Sequence, residues 1–231
     1  MKNCLICQQV MFERLSFAWL FSLKKIQKKY ICEECQKNFV LIQNEERCQG
    51  CGRSQKKDNL CYDCIRWKRN GEKELLKNRA LFVYNAAMQN FMEGYKFKGD
   101  YYWRNVFQGK FEQNIHYYYN SGWIYVPVPV DKATLAERGF NQVTGLLQSL
   151  PFNEILQMKD FSARTKQSHK TRKQRLETQQ PFEYSGGDIN IKGKKVLLLD
   201  DVYTTGRTLY YAKELLSTKG VREVRSFTLA R

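Results

Sequence analysis

The stretch VLLLDDVYTTGRT, from Val196 to Thr208, decides the fold. Val196, Leu197, Leu198 and Leu199 are four apolar residues in succession, the pattern of a strand buried on both faces of a parallel sheet. The strand ends in the adjacent carboxylates Asp200 and Asp201, which can accept hydrogen bonds from vicinal sugar hydroxyls. Thr204-Thr205-Gly206-Arg207-Thr208 then leads into a helix. Successive backbone N–H groups, hydroxyl donors and a helix amino terminus favour a dianionic phosphate. Gly206 removes a side chain where the backbone must approach a ligand. Carboxylates for the sugar and amides for its phosphate together describe a ribose 5-phosphate site. A plain helix capped by Thr208 accounts for part of this pattern, but not for the whole spacing.

Outward from this segment, strands and helices alternate. Ala80 to Tyr84 reads as a strand, and Met88, Phe91, Met92 and Tyr95 share one helical face. Val106, Phe107 and Phe111 belong to a second helix. Trp123 to Val130 is a strand running into a proline-containing loop, followed by a helix from about Asn141 to Leu150. Lys195 to Leu199, Thr208 to Ser217 and Glu223 to Leu229 complete a strand–helix–strand unit. This alternation predicts an α/β fold with a mostly parallel sheet covered by helices. A chain of 231 residues also leaves room for a second, smaller domain. All eight cysteines precede residue 65, and the first proline is Pro127. The expected division is a cysteine-rich domain at 1–78 and an α/β domain at 79–231.

The cysteines form four CxxC units: Cys4/Cys7, Cys32/Cys35, Cys48/Cys51 and Cys61/Cys64. Two thiolates three positions apart can turn toward one ion across a tight knuckle, and two knuckles complete a tetrahedral shell around zinc. Two structural zinc ions are expected, the cysteines paired in sequential order because that closes shorter loops. A crossed pairing also satisfies the spacing. Disulfides are the other reading, and Met1-Lys2-Asn3-Cys4 does not lead into an export signal that would favour them. All-cysteine shells leave no open coordination position, so these sites are structural. The insert between Cys7 and Cys32 carries the apolar run Met11 to Leu23, expected to be a helix or hairpin packed on the sheet domain.

Thirty-nine Lys and Arg against 23 Asp and Glu leave a net charge of +16. Such a surface attracts DNA, RNA or an anionic membrane face, although a basic protein without such a partner fits the same numbers. Ser162 to Gln180 concentrates Arg164, Lys166, Lys170, Arg172, Lys173 and Arg175 against the single acid Glu177. Pyrophosphate or a nucleic-acid backbone suits that charge, and a long loop of this kind is usually functional or disordered. Lys24, Lys25, Lys28 and Lys29 form a second cluster, which also reads as a solvated helix face. Tyr101-Tyr102-Trp103 and Tyr117-Tyr118-Tyr119 can stack bases or serve as core and rim. No apolar run reaches the roughly 20 residues of a membrane span, and the cytoplasm is the expected location.

The 196–208 pattern resembles the phosphoribosyl pyrophosphate signature of type I phosphoribosyltransferases, an α/β family. The resemblance implies that Asp200 and Asp201 hold the ribose hydroxyls and that Thr204, Thr205, Gly206, Arg207 and Thr208 hold the 5-phosphate, with magnesium accompanying the ligand. Purine-salvage members carry an Asp where Thr204 stands, which argues against hypoxanthine or guanine as substrate. Pro127-Val128-Pro129-Val130, Arg138-Gly139-Phe140-Asn141-Gln142, Lys96-Phe97-Lys98-Gly99-Asp100 and Arg164-Thr165-Lys166-Gln167 with Arg175 resemble motifs of the ComF family. One departure is the Asn that usually follows that last Arg, replaced here near Thr178. That family also begins with a cysteine-rich zinc ribbon, so the likeness covers nearly the whole chain.

By this resemblance the loop after Val126 faces the ribose site and binds pyrophosphate through amides between Val128 and Lys132. Val128, Pro129, Val130 and Arg138 are its candidates. Pro127 and Pro129 also fit a stiff strand exit, and Arg138 also fits a pair with Glu137 or Asp131. The family acts in natural genetic competence, which implies single-stranded DNA and competence proteins such as a ComFA-like DNA helicase or translocase as partners, near the membrane uptake machinery. The alternative is an active phosphoribosyltransferase with an unknown, non-purine acceptor. Whether transfer occurs stays open, because only His116 and His169 are present and neither sits in a clear catalytic constellation.

Overall fold

The computed structural model describes residues 2–12, 28–56, 59–97, 101–160, 180–186 and 189–231. In chain order the elements are β1 (Lys2–Asn3), β2 (Val10–Met11), α1 (Glu33–Lys37), α2 (Tyr62–Arg69), β3 (Lys77–Phe82) and α3 (Ala86–Phe97). A 3-10 turn (Tyr101–Val106) precedes α4 (Gln108–Tyr118), β4 (Trp123–Pro127), α5 (Lys132–Arg138) and α6 (Gln142–Gly145). The chain continues through β5 (Leu156–Met158), β6 (Phe182–Tyr184), β7 (Lys195–Val202), α7 (Arg207–Thr218) and β8 (Glu223–Ala230).

Four strands form the central sheet in the order β3-β8-β7-β4, every pair parallel. The apolar run of β7 explains its central place, because side chains alternate between the two faces. Leu197 and Leu199 enter a core with Met88, Phe91, Phe111 and Ile115. Val196 and Leu198 enter the opposite core with Leu209, Ala212 and Leu216 of α7. All four are fully buried, each contributing about 2–3 kcal/mol. The cysteine-rich region straddles the sheet: Cys4 and Cys35 join the first core, and Cys48, Cys51, Cys61 and Cys64 join the second.

Two elements differ from the sequence reading. The helix expected over 141–150 is only α6, ending at Gly145. The buried Glu112 carboxylate of α4 instead accepts the N–H groups of Gln148, Ser149 and Leu150 and the Ser149 hydroxyl. Those amides cannot serve both a helix and Glu112, and Pro151 closes the segment. The loop after β4 contains α5, which the sequence reading leaves as loop. The Asp131 carboxylate caps it by accepting from Thr134 N–H at 2.8 Å, and Gly139 ends it at φ +80°. The insert after Cys7 begins as β2, and residues 13–27 of it, with Lys24 and Lys25, lie outside the described residues. Lys29 pairs with Glu33 at 3.1 Å on the surface.

Candidate functional site

At its carboxyl end β7 carries the two acids into the interior: Asp200 and Asp201 are 8% and 4% exposed. The Asp200 carboxylate accepts the Asp201 N–H at 2.9 Å. Asp201 faces the ammonium of Lys96 and accepts from the Gln142 side-chain amide at 3.4 Å. These surroundings drive the two acids apart. Burial, then the neighbouring Asp201 charge, push the Asp200 carboxyl well above the usual range. Burial opposes charge on Asp201 too, but Lys96 and the hydrogen bonds from Asp200 and Gln142 hold it below its ordinary value.

The chain then turns through Thr204 and Thr205 to Gly206, the amino cap of α7, at φ +82°. The structure gives this glycine a reason the sequence does not show: a Cβ here would meet the Tyr203 ring, which is fully buried beneath the turn. With a glycine cap, no cap side chain occupies the helix terminus. Thr205 accepts the Arg207 N–H at 3.4 Å, and Thr208 lies inside the first turn, so it is not the cap.

Thr204, Thr205, Arg207 and Thr208 line a cavity of about 640 Å³ together with Asp200 and Asp201. Val128, Pro129, Val130 and Arg138 line the same cavity from the β4 side. The register explains the meeting: β4 pairs directly with β7, Pro127 opposite Leu199, so both loops leave the sheet side by side. Arg138 donates to the Lys96 carbonyl at 3.1 Å and to the Gln142 side chain. Lys96 and Gln142 are therefore site residues that the sequence reading quotes only as family motif. Nothing adjacent in the chain marks them, since Lys96 stands between Tyr95 and Phe97 and Gln142 between Asn141 and Val143, and only packing brings them to Asp201. Lys98, Gly99 and Asp100 lie outside the described residues, as do Arg164, Lys166, Lys170, Arg172, Lys173 and Arg175. Met158 of β5 and Phe182 of β6, which flank that basic segment, line the cavity.

The cysteines fall into two groups, Cys4, Cys7, Cys32 and Cys35, and Cys48, Cys51, Cys61 and Cys64, with the sulfurs of each within 4.8 Å of one another. This is the sequential grouping. Sulfur–sulfur separations of 3.7 Å (Cys7 to Cys32), 3.6 Å (Cys48 to Cys64) and 3.5 Å (Cys51 to Cys61) exclude disulfides. They fit the edge of about 3.8 Å that follows from a zinc–sulfur bond of about 2.3 Å in a tetrahedron. Backbone N–H groups point at the sulfurs, Cys32 to Cys4 at 3.3 Å and Cys61 to Cys48 at 3.2 Å. Each tetrad can hold one zinc ion.

The second tetrad reaches the Thr204–Thr208 turn. From α2, which carries Cys64, the Trp67 indole N–H donates to the Thr205 carbonyl at 3.0 Å. Arg231, its side chain 5% exposed, donates to the Thr204 carbonyl at 2.7 Å and to Asp63 at 3.0 Å. Asp63 also pairs with Arg53 at 2.6 Å. The cysteine-rich region thus holds the backbone of the turn directly through Trp67 and, by the Asp63–Arg231 pair, indirectly through Arg231.

The phosphoribosyl transferase domain family matches residues 134–231. Competence protein ComFC of Streptococcus pneumoniae (strain ATCC BAA-255 / R6) is 36% identical over 229 residues, covering 99% of this chain and 100% of that protein. The chain belongs to the ComFC family of competence proteins. Competence protein ComFC of Bacillus subtilis (strain 168) is 32% identical over 235 residues, covering 99% of this chain and 94% of that protein. Two solved structures of a hypoxanthine phosphoribosyltransferase from Staphylococcus aureus are more distant. One has TM-score 0.30 and 18% identity, covering 55% of this chain and 61% of that chain. The other has TM-score 0.32 and 16% identity, covering 63% and 71%. Among the described residues no helix is long and apolar enough to cross a membrane.

The aromatic candidates divide. Tyr119 is buried, and Trp103 packs on Phe91 at 5.9 Å, so both serve the core. Tyr117 and Tyr102, 78% and 55% exposed, present their rings to solvent.

Proposed function

We propose that this chain serves competence-linked DNA uptake as a zinc-stabilised protein whose sheet domain binds phosphoribosyl pyrophosphate. The observation that carries this reading is the single cavity joining two buried carboxylates at the end of β7 to the Thr204–Thr208 turn and the Val128–Val130 loop. Asp200 and Asp201 take the ribose hydroxyls, the α7 terminus and the threonines take the 5-phosphate, and the β4 loop with Arg138 takes pyrophosphate. Magnesium, when bound, neutralises the pyrophosphate charge beside these groups. Residues 1–78 form the zinc module, one ion in each tetrad, and residues 79–231 the phosphoribosyltransferase module. The ligands further include single-stranded DNA, drawn by the +16 charge. Competence proteins such as a ComFA-like helicase are the protein partners, met on the cytoplasmic side near the uptake machinery. Exposed Phe12 and Tyr62 of the zinc module, 77% and 70% accessible, offer contacts for them.

A second reading is phosphoribosyl transfer to a non-purine acceptor. It is favoured by the opposite displacement of the two adjacent acids, Asp200 upward through burial and the Asp201 charge and Asp201 downward through Lys96, which gives neighbouring carboxyls different proton affinities. Calorimetric titration with phosphoribosyl pyrophosphate tests the binding site. Asp200→Asn with Asp201→Asn is expected to abolish the heat of binding while leaving the zinc content intact. Unchanged affinity in that variant removes the site assignment. Pyrophosphate release in the presence of single-stranded DNA or free nucleobases separates the second reading from the first.

A further inference from the structure

At the opposite end of the sheet, β3 and β8 begin with cations in register. Lys77 lies beside Arg225, and Arg79 follows two positions on, where alternation returns its side chain to the Lys77 face. Arg225 is three residues, about 10 Å, upstream of Thr228, the partner of Asp200 in the register. The zinc module adds Arg47, just before Cys48. Arg47, Lys77, Arg79 and Arg225 line a cavity of about 410 Å³ with Asn44 and Tyr119, and no carboxylate among the described residues lines it. Of the four cations only Arg225 has an ion pair among the described residues, with Glu223 at 2.6 Å. Burial and then the Arg47 charge depress the Arg79 guanidinium below its ordinary value.

Arg47, Lys77 and Arg79, gathered with no carboxylate paired to them among the described residues, destabilise one another until an anion joins them. The surroundings say which anion. The Arg79 guanidinium is fixed over the Tyr118 ring at 3.5 Å and donates to the Asn44 side-chain oxygen at 2.7 Å. A planar fork held in this way suits phosphate oxygens. Tyr117, 78% exposed, meets the Tyr118 ring that underlies Arg79 edge-on, with ring centroids 4.7 Å apart, leaving a face for a base. A phosphate beside a solvent-facing ring is the recognition pattern of an unpaired nucleotide.

We propose that this cavity is a second phosphate site, at the amino end of the sheet, which holds a backbone phosphate of single-stranded DNA while the adjoining base stacks on Tyr117. The proposal rests on the competence reading above and adds the place where the strand is held. It also separates the strand from the phosphoribosyl site, so both ligands bind together.

Fluorescence anisotropy of a labelled short oligothymidylate, titrated at several salt concentrations, tests this. Arg47→Gln with Lys77→Gln is expected to weaken binding more than tenfold at low salt. Loss of that one phosphate contact should also make the log–log salt slope shallower by about 0.7. Tyr117→Ala, an exposed position, is expected to lose about tenfold. Saturating phosphoribosyl pyrophosphate should leave the oligonucleotide bound. Lys77→Gln alone keeps the test valid if Arg47→Gln disturbs Cys48, with zinc content as the control. Wild-type affinity and slope in the Lys77→Gln and Tyr117→Ala variants overturn the site while leaving DNA binding by the protein intact. Displacement of the oligonucleotide by phosphoribosyl pyrophosphate overturns the separation of the two sites. Absence of oligonucleotide binding by the unmodified protein overturns both this proposal and the DNA part of the proposed function.

Discussion

Replacing Trp67 with Phe tests whether the zinc module positions the phosphate turn. The substitution keeps an aromatic ring in the stack on Tyr210, where the centroids stand 4.1 Å apart at 26°. It removes one interaction, the 3.0 Å hydrogen bond from the indole N–H to the Thr205 carbonyl. A neutral hydrogen bond of this type has a net worth of about 1 kcal/mol. Arg231 still holds the neighbouring Thr204 carbonyl at 2.7 Å, so the turn loosens without detaching. If the lost energy appears entirely as the cost of ordering the turn around ligand, phosphoribosyl pyrophosphate affinity falls about fivefold. Calorimetric titration of both proteins at equal zinc content measures the ratio. Arg231→Met should cost more, since it also leaves Asp63 without its most buried partner. An unchanged dissociation constant for Trp67→Phe, with the fold intact, would refute the coupling and leave the turn organised by the sheet alone.

Elemental analysis of purified protein should approach two zinc ions per chain, and a strong chelator should unfold both tetrads and lower phosphoribosyl pyrophosphate affinity at the same time. Gly206→Ala should destabilise the chain by about 2 kcal/mol, because φ of +82° is unfavourable for alanine and its Cβ meets Tyr203; thermal unfolding reads this directly. Glu112→Gln should cost about 2 kcal/mol at neutral pH through weakened bonds to the amides of Gln148, Ser149 and Leu150. Burial opposes the Glu112 charge, but these amides hold its pKa below the ordinary 4.5. Its stabilisation is therefore complete above that value and lost as pH falls through the folded-state value. Urea unfolding across this range should show the gap between the two proteins closing in acid, whereas a constant gap contradicts the assignment.

Much of the site was legible in the residue order because its parts are local. Asp200 to Thr208 is continuous chain, so its strand, acids and turn can be read from one segment, and the same holds for each CxxC knuckle. Contacts across elements were not legible in this way. Lys96 meets Asp201 across 105 positions, and Gln142 across 59. The shortened helix after Asn141 depends on Glu112, a residue on another helix. The loop expected after β4 became α5 because Asp131 and Gly139 supply a cap and a stop, a local signal obscured by the two prolines before it.

The sequence by itself determined the chemistry of the parts: a buried parallel strand ending in two acids, a phosphate-binding turn, four pairs of thiolates and a strongly basic surface. Periodicity and short-range spacing carry that information because each part is set by neighbouring backbone geometry. Tertiary structure alone decided which parts share a space. It paired β4 with β7 and so brought the Val128–Val130 loop to Asp200 and Asp201. It settled the sequential grouping of the cysteines that the spacing favours, and set Trp67, on the helix of the second group, against Thr205. It also gathered Arg47, Lys77, Arg79 and Arg225 at the far end of the sheet. Strand register and core packing determine these placements, and both depend on contacts between residues far apart in the chain.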